Sequence, residues 1–235
     1  MIISAMQPYF FPSIHYFQLI KTSDIFVILD NVNYINRGFI NRNYLINPKT
    51  NKKELFNISL KNKSQNKLIN EIEIFEYSNF LKKIEIYDSK NFNFKDIYNR
   101  LLINKIFCKE YVLLIELLKK TIEEICVVLK INTKIVLASS LKNTNFKGQE
   151  RIINIVEQLK GTKYVNFIGG SKMYEKKAFE KKNIDLYFIK SYLNEVKFKN
   201  TEYYITNLSI LEILMNFNLN FILENYLSEF NLQKA

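Results

Sequence analysis

Two short apolar runs, Ile2 to Met6 and Ile25 to Leu29, stand a helix's length apart, and that spacing limits the fold more than any other feature of the chain. The second run is β-branched and apolar and carries no charge until Asp30, as a strand covered on both faces requires. Between the runs, Pro8 and Pro12 forbid a regular ladder or a helix interior, so the first strand ends near Gln7. Ser13 can then cap a helix with Tyr16, Phe17, Leu19 and Ile20 facing inward, closed by Thr22 and Ser23. A strand, about ten residues of helix and a second strand form the minimal parallel unit, with a right-handed crossover. Gln7 and Asp30 then lie side by side at the carboxyl edge of one sheet, where open parallel sheets bind ligands.

The next segments break that rhythm. Asn31 to Asn47 reads as a polar loop turning at Gly38 and returning through Phe39 and Ile40. Leu55 to Leu60 and Ile69 to Phe75 are β-rich runs separated by the polar stretch Lys61 to Lys67, which predicts a hairpin insertion at about 54–76 with a long connection. Short helices are expected over Phe80 to Tyr87 and Phe94 to Asn104. The clearest helix follows: Tyr111, Ile115, Leu118, Ile122, Ile125 and Leu129 recur at three- and four-residue spacing, with Lys119, Lys120, Glu123 and Glu124 on the other side.

The second half returns to alternation. Lys134 to Ala138, Tyr164 to Ile168 and Ile184 to Ile189 read as strands, with helices over Gln149 to Leu159 and Lys172 to Lys181. Helices over Ser209 to Met215 and Phe221 to Tyr226 are expected to finish the chain, with Ser209 and Glu212 in capping-box spacing. The expected fold is α/β, a mainly parallel sheet with flanking helices and a β-rich insertion, with residues 1–235 as a single domain without repeats or linkers.

Composition excludes several classes. No basic and apolar leader opens the chain, and the apolar stretch Ile210 to Leu227 is interrupted by Glu212, Asn216, Asn218, Asn220 and Glu224, so neither a signal peptide nor a membrane span is expected. Cys108 and Cys126 lack metal-ligand spacing and the single histidine cannot complete a zinc site with them, which points to a reduced, cytoplasmic protein without a metal. The net charge of +11 would attract phosphate-bearing partners, yet the lysines are spread over most segments rather than grouped, which argues against nucleic acid. Only four of the 34 basic residues are arginine, and Arg37, Arg42 and Arg151 lie in polar clusters where a planar fork has a use.

Four polar sites fall at expected carboxyl ends of strands: Gln7-Pro8-Tyr9, Asp30-Asn31, Ser139-Ser140 and Gly169-Gly170. Each has a plain structural reading as turn chemistry or close packing. Their convergence on one edge favours a binding cleft.

Several spaced blocks resemble the WbqC-like proteins. They are Gln7-Pro8-Tyr9 with Pro12 and Tyr16-Phe17, then Asp24 to Val27 with Asp30, then Gly38 to Asn43. Ser139-Ser140, the run Lys147 to Arg151, Gly169-Gly170 with Tyr174, and Leu208 to Ile210 follow in order, so the likeness spans nearly the whole chain. Phe39 stands where many members carry tryptophan, Met6 where some carry histidine and His15 where glycine is common. The resemblance implies a place in bacterial surface-polysaccharide and O-antigen biosynthesis. It also implies transfer of an acyl or aminoacyl group to the amine of a nucleotide-linked amino sugar, with an acyl-carrier or other thioester as donor.

Acylating an amine needs a base, donors for the developing oxyanion and a cationic grip on phosphates. Asp30 is the candidate base and His15 its rival. Arg42, flanked by Asn41 and Asn43, offers bidentate recognition, as does Arg151 beside Lys147 and Gln149. Tyr9 and Tyr174 can stack on a base or sugar, or serve as core tyrosines. Gly169-Gly170 lets backbone amides approach an anion, with Asn31, Ser139 and Ser140 on the same edge. No nucleophile constellation is visible, so direct transfer is the simpler chemistry, and no cofactor is required by the sequence. Two rivals stay open. One is an enzyme resembling the HIGH-type nucleotidyl transferases, from the strand, the Pro12 to His15 turn, the helix and the strand ending in Asp30. The other is a basic non-catalytic module for nucleic acid, with steeply salt-dependent affinity.

Overall fold

β1 (Ile2–Met6) and β2 (Ile25–Ile28) pair in parallel, Ile3 beside Ile25, with α1 (Ile14–Thr22) as the crossover. The computed structural model that shows this describes residues 1–47, 49–90, 97–142, 145–199 and 201–235. The chain continues through β3 (Arg42–Ile46), β4 (Lys53–Asn57), β5 (Ser59–Lys61), β6 (Glu73–Glu76), α2 (Ser78–Lys90), α3 (Ile97–Ile106) and α4 (Leu114–Val128). Then come β7 (Lys134–Leu137), α5 (Gly148–Gln158), β8 (Lys163–Phe167), α6 (Lys176–Glu180), β9 (Asp185–Ser191), α7 (Ile210–Asn216), α8 (Leu219–Asn225) and β10 (Phe230–Lys234). The main sheet has six strands in the order β10-β9-β8-β1-β2-β7, parallel except for β10 on β9.

Strand side chains alternate between two cores, which is why the run in β2 lacks polar spacing. Phe26, Ile28 and Val165 pack with Phe17 of α1, Leu118 and Ile122 of α4 and Ile213 of α7. Ile3, Val27 and Tyr164 pack on the opposite face with Ile155 and Val156 of α5 and Phe179 beside β9. From β1 the chain steps to β2 and later β7 with α1 and α4 on the first face, then crosses back with α5 to β8 and on to β9 with α6 on the second. One crossover hand with helices on both faces demands this reversal of direction. The connections leaving the neighbours β1 and β8 therefore part to opposite faces, which opens a crevice at their carboxyl ends.

Five expectations are corrected. The stretch read as polar loop up to Asn47 contains β3, which pairs antiparallel with β4, Arg42 beside Asn57. The run Leu55 to Leu60 is consequently two strands, of which only β5 pairs with β6. Asn41 makes the break: its carboxamide donates to the Ile58 carbonyl at 2.8 Å while the Ile58 amide donates to the Asn41 carbonyl at 2.8 Å. The helix expected over Lys172 to Lys181 shrinks to α6, because Ile168 to Met173 form a 3-10 turn and Tyr174 is tied back to β8. The chain continues past its helices into β10, an edge strand whose short alternation carries little signal. The second half of the expected capping box is also absent: Ser209 accepts from the Leu211 amide, but Glu212 turns away to β3. The expected helix start at Phe94 lies outside the described residues.

Candidate functional site

At the β1–β8 crevice the sequence places a histidine. His15 sits in the first turn of α1 with its ring 6.2 Å from that of Phe167, the last residue of β8. Its Nε2 is buried without a hydrogen-bond partner, and burial lowers its pKa to about 4. The imidazole is therefore neutral at physiological pH, a state that a helix N-terminus also favours. Gln7 follows β1 directly, its carbonyl accepting from the Tyr16 hydroxyl at 3.1 Å. Gly169 and Gly170 lie in the 3-10 turn after β8, neither with a positive φ. A Cβ on Gly169 would meet nothing within 4 Å, so packing does not require glycine there and the backbone stands open.

Asp30 and its neighbours form the frame rather than the opening. The Asp30 side chain is 1% exposed; Oδ1 accepts from the Ser139 amide at 2.9 Å and Oδ2 from the Asn70 carboxamide at 3.4 Å. That bonding ties the end of β2 to the end of β7 and to the turn leading into β6. Asn31 is buried beside it, and its carbonyl accepts from Nη1 of Arg151 at 3.1 Å, while Nε of Arg151 donates to the Phe146 carbonyl at 2.8 Å. The Arg151 fork thus fixes the start of α5 above β2 and grips backbone carbonyls. Gln149 accepts from the Glu175 amide at 2.9 Å, which docks the turn after β8 against α5. Lys147 precedes α5 and is exposed, as are Ser139 and Ser140; the Ser140 hydroxyl donates to the Leu137 carbonyl. Tyr174 belongs to a buried knot, its hydroxyl accepting from Asn166 at 2.7 Å beside the Tyr164 hydroxyl, and burial raises its pKa.

The cluster around Arg42 shapes a second concavity. Asn43 donates to the carbonyls of Phe10 and Phe11, at 3.2 and 2.8 Å, and Phe11 holds a φ of +47°. A bulky residue is strained in that left-handed region, so the two bonds from β3 hold the aromatic loop in place. Asn41 accepts from the Tyr34 hydroxyl at 2.7 Å. Arg42 donates from Nε to the Gly38 carbonyl at 3.1 Å and from Nη2 to the Arg37 carbonyl, bracing the turn that presents Phe39. Between this turn, the aromatic loop and the 206–208 segment lies a cleft of about 440 Å³, lined by Tyr9, Ser13, Phe39, Lys53 and Asn207 among others. Burial raises the Tyr9 pKa and lowers that of Lys53.

Gln7 and the pair Gly169-Gly170 thus follow the carboxyl ends of the neighbouring strands β1 and β8, His15 lies against Phe167 at the end of β8, and Tyr9 lines the cleft. Asp30, Asn31, Asn41, Arg42, Asn43, Gln149, Arg151 and Tyr174 spend their polar groups inside the protein, at least in part. Lys53 and Asn207 were not legible as site residues, since no local spacing separates Lys53 from the other lysines. Among the described residues no cluster of His, Cys, Asp or Glu could hold a metal ion, and no helix is long and apolar enough to cross a membrane.

A mainly parallel, open sheet with helices on both faces places the fold in the doubly wound α/β class. Within that class the chain belongs to the WbqC-like protein family, whose model matches residues 7–222. Comparison with curated proteins and with solved structures returned no match.

Proposed function

We propose that the chain is an enzyme of bacterial O-antigen or surface-polysaccharide biosynthesis that transfers an acyl or aminoacyl group from a thioester to the amine of a nucleotide-linked amino sugar. The observation that supports the reading is the neutral His15 imidazole, whose Nε2 is buried and unpartnered beside Phe167 at the carboxyl end of β8. In this scheme the amine nitrogen attacks the thioester carbonyl. The new C–N bond forms, the C–S bond breaks, and Nε2 takes the amine proton and hands it to the departing thiolate. The open backbone at Gly169 faces the developing oxyanion. Asp30 acts as a positioning residue, since both of its oxygens already accept hydrogen bonds.

The test supplies amino-sugar nucleotides and short acyl thioesters and follows the acyl mass gain together with free thiol. Amide product is expected, with a loss of about 10²-fold or more in His15→Gln. An unaltered rate in that variant, or no amide with any pair of substrates, would sink the reading. The placement of Pro12 to His15 at the entry to α1, in the crossover that follows β1, favours nucleotidyl transfer as the second reading. Pyrophosphate release from a nucleoside triphosphate and a sugar phosphate, without amide formation, would establish it instead.

A further inference from the structure

We infer that the cleft between Tyr9, Phe39 and Lys53 is the nucleotide subsite, taking a nucleoside diphosphate with its base against the two aromatic rings and its phosphates toward Lys53. The inference rests on the reading above for the reacting end of the ligand, and on the cleft alone for the nucleotide end.

Tyr9 and Phe39 meet edge to face, ring centroids 6.2 Å apart, yet Phe39 remains 50% exposed where it borders the cleft. An aromatic ring braced at the mouth of a concavity offers a flat apolar surface, and planar ligands stack on such surfaces. Phe39 is not mobile filler: Arg42 braces its turn through Gly38 and Arg37, and the Phe39 carbonyl accepts from the Phe10 amide at 2.9 Å.

Lys53 supplies the charge. Its ammonium lies 4.5 Å from the centre of the Tyr203 ring and 3.5 Å from the Asn207 carbonyl. Among the described residues no carboxylate reaches it within 4 Å; Glu202 acts on it only from farther away. A part-buried cation normally has an anionic partner, and here a weak carbonyl contact and a ring take that place. Burial also lowers its pKa, the expected response to a missing counter-charge. Ser13 lines the same cleft, and its hydroxyl makes no capping bond to α1, which leaves it for a ligand. The volume of about 440 Å³ is of the size that small-ligand pockets take.

Calorimetric titration of the full chain with uridine, thymidine, cytidine and guanosine diphosphates, with the matching nucleosides and with inorganic pyrophosphate, tests the assignment. At least one diphosphate is expected to bind. Lys53→Met should weaken it about tenfold or more, equivalent to ~1.4 kcal/mol. Phe39→Ala should weaken the nucleoside and diphosphate alike but leave pyrophosphate unaffected, which separates ring recognition from simple phosphate capture. Phe39 is half exposed, so this variant keeps the test informative should Lys53→Met fold poorly. Nucleotide affinities unchanged in both variants, or no binding of any diphosphate, overturn the subsite. Nucleotide binding that is lost in both variants without any amide product would uphold the cleft and sink the acyl-transfer reading; amide formation lost in His15→Gln with nucleotide affinity intact in Lys53→Met would do the reverse.

Discussion

His15 carries a prediction that does not depend on catalysis. Its pKa is lowered to about 4, against an ordinary 6.5 in the unfolded chain. Between those values the unfolded state binds more protons, so stability from this group is present above the ordinary value and is lost as pH falls through the interval. The melting temperature of the wild type is expected to drop more steeply between about pH 7 and pH 4.5 than that of His15→Gln, the carboxylates contributing equally to both. Parallel melting curves against pH would refute the buried neutral state. Gly161 offers a second test at the same scale. A Cβ there would lie 2.5 Å from Cγ1 of Ile3 and 2.9 Å from Cγ1 of Val156, so Gly161→Ala is expected to cost about 1–3 kcal/mol in urea unfolding. Nothing in the sequence marks Gly161, because the constraint is the approach of α5 to β1. Asp30 was legible as an edge residue, since the strand before it is plain. The donors that occupy it, Ser139 and Asn70, come from segments far along the chain.

At the scale of elements, the parallel strands and their helices were legible because each buries a continuous run or a single stripe. β3 was not, because its neighbourhood is dense with asparagine. Asn41 and Asn43 look like loop chemistry in one dimension and turn out to be buried staples in three, each satisfied by backbone partners across a strand or loop. Glu212 belongs with them. It is 3% exposed, burial raises its pKa, and it accepts from the Ile46 amide at 2.8 Å and from the Asn216 carboxamide at 2.8 Å. Glu212→Ala leaves the Ile46 amide unpaired where α7 meets β3 and is expected to cost about 1–3 kcal/mol. Glu212→Gln retains an acceptor and should cost less, a comparison that chemical denaturation can make directly. Asn43→Ala is expected to release the aromatic loop at Phe11, seen as faster proteolysis within residues 8–13 together with a loss of about 1–3 kcal/mol in stability.

For the whole molecule, the charge of +11 is less directional than it looks. Lysines pair along helix faces, Lys119 with Glu123, Lys120 with Glu124 and Lys176 with Glu180, as solvated surfaces do. A short DNA duplex is therefore expected to bind only at low salt and to leave nucleotide titrations unaltered at about 0.15 M salt. The order of the sheet has one more consequence, in time rather than space. One edge of β1 finds β2 after 22 residues, Ile3 beside Ile25, whereas the other must wait for β8, with Ile2 beside Lys163. During synthesis the central strand therefore keeps one side open to strangers until residues 163–167 have emerged, and slow folding is the expected consequence of so late a closure.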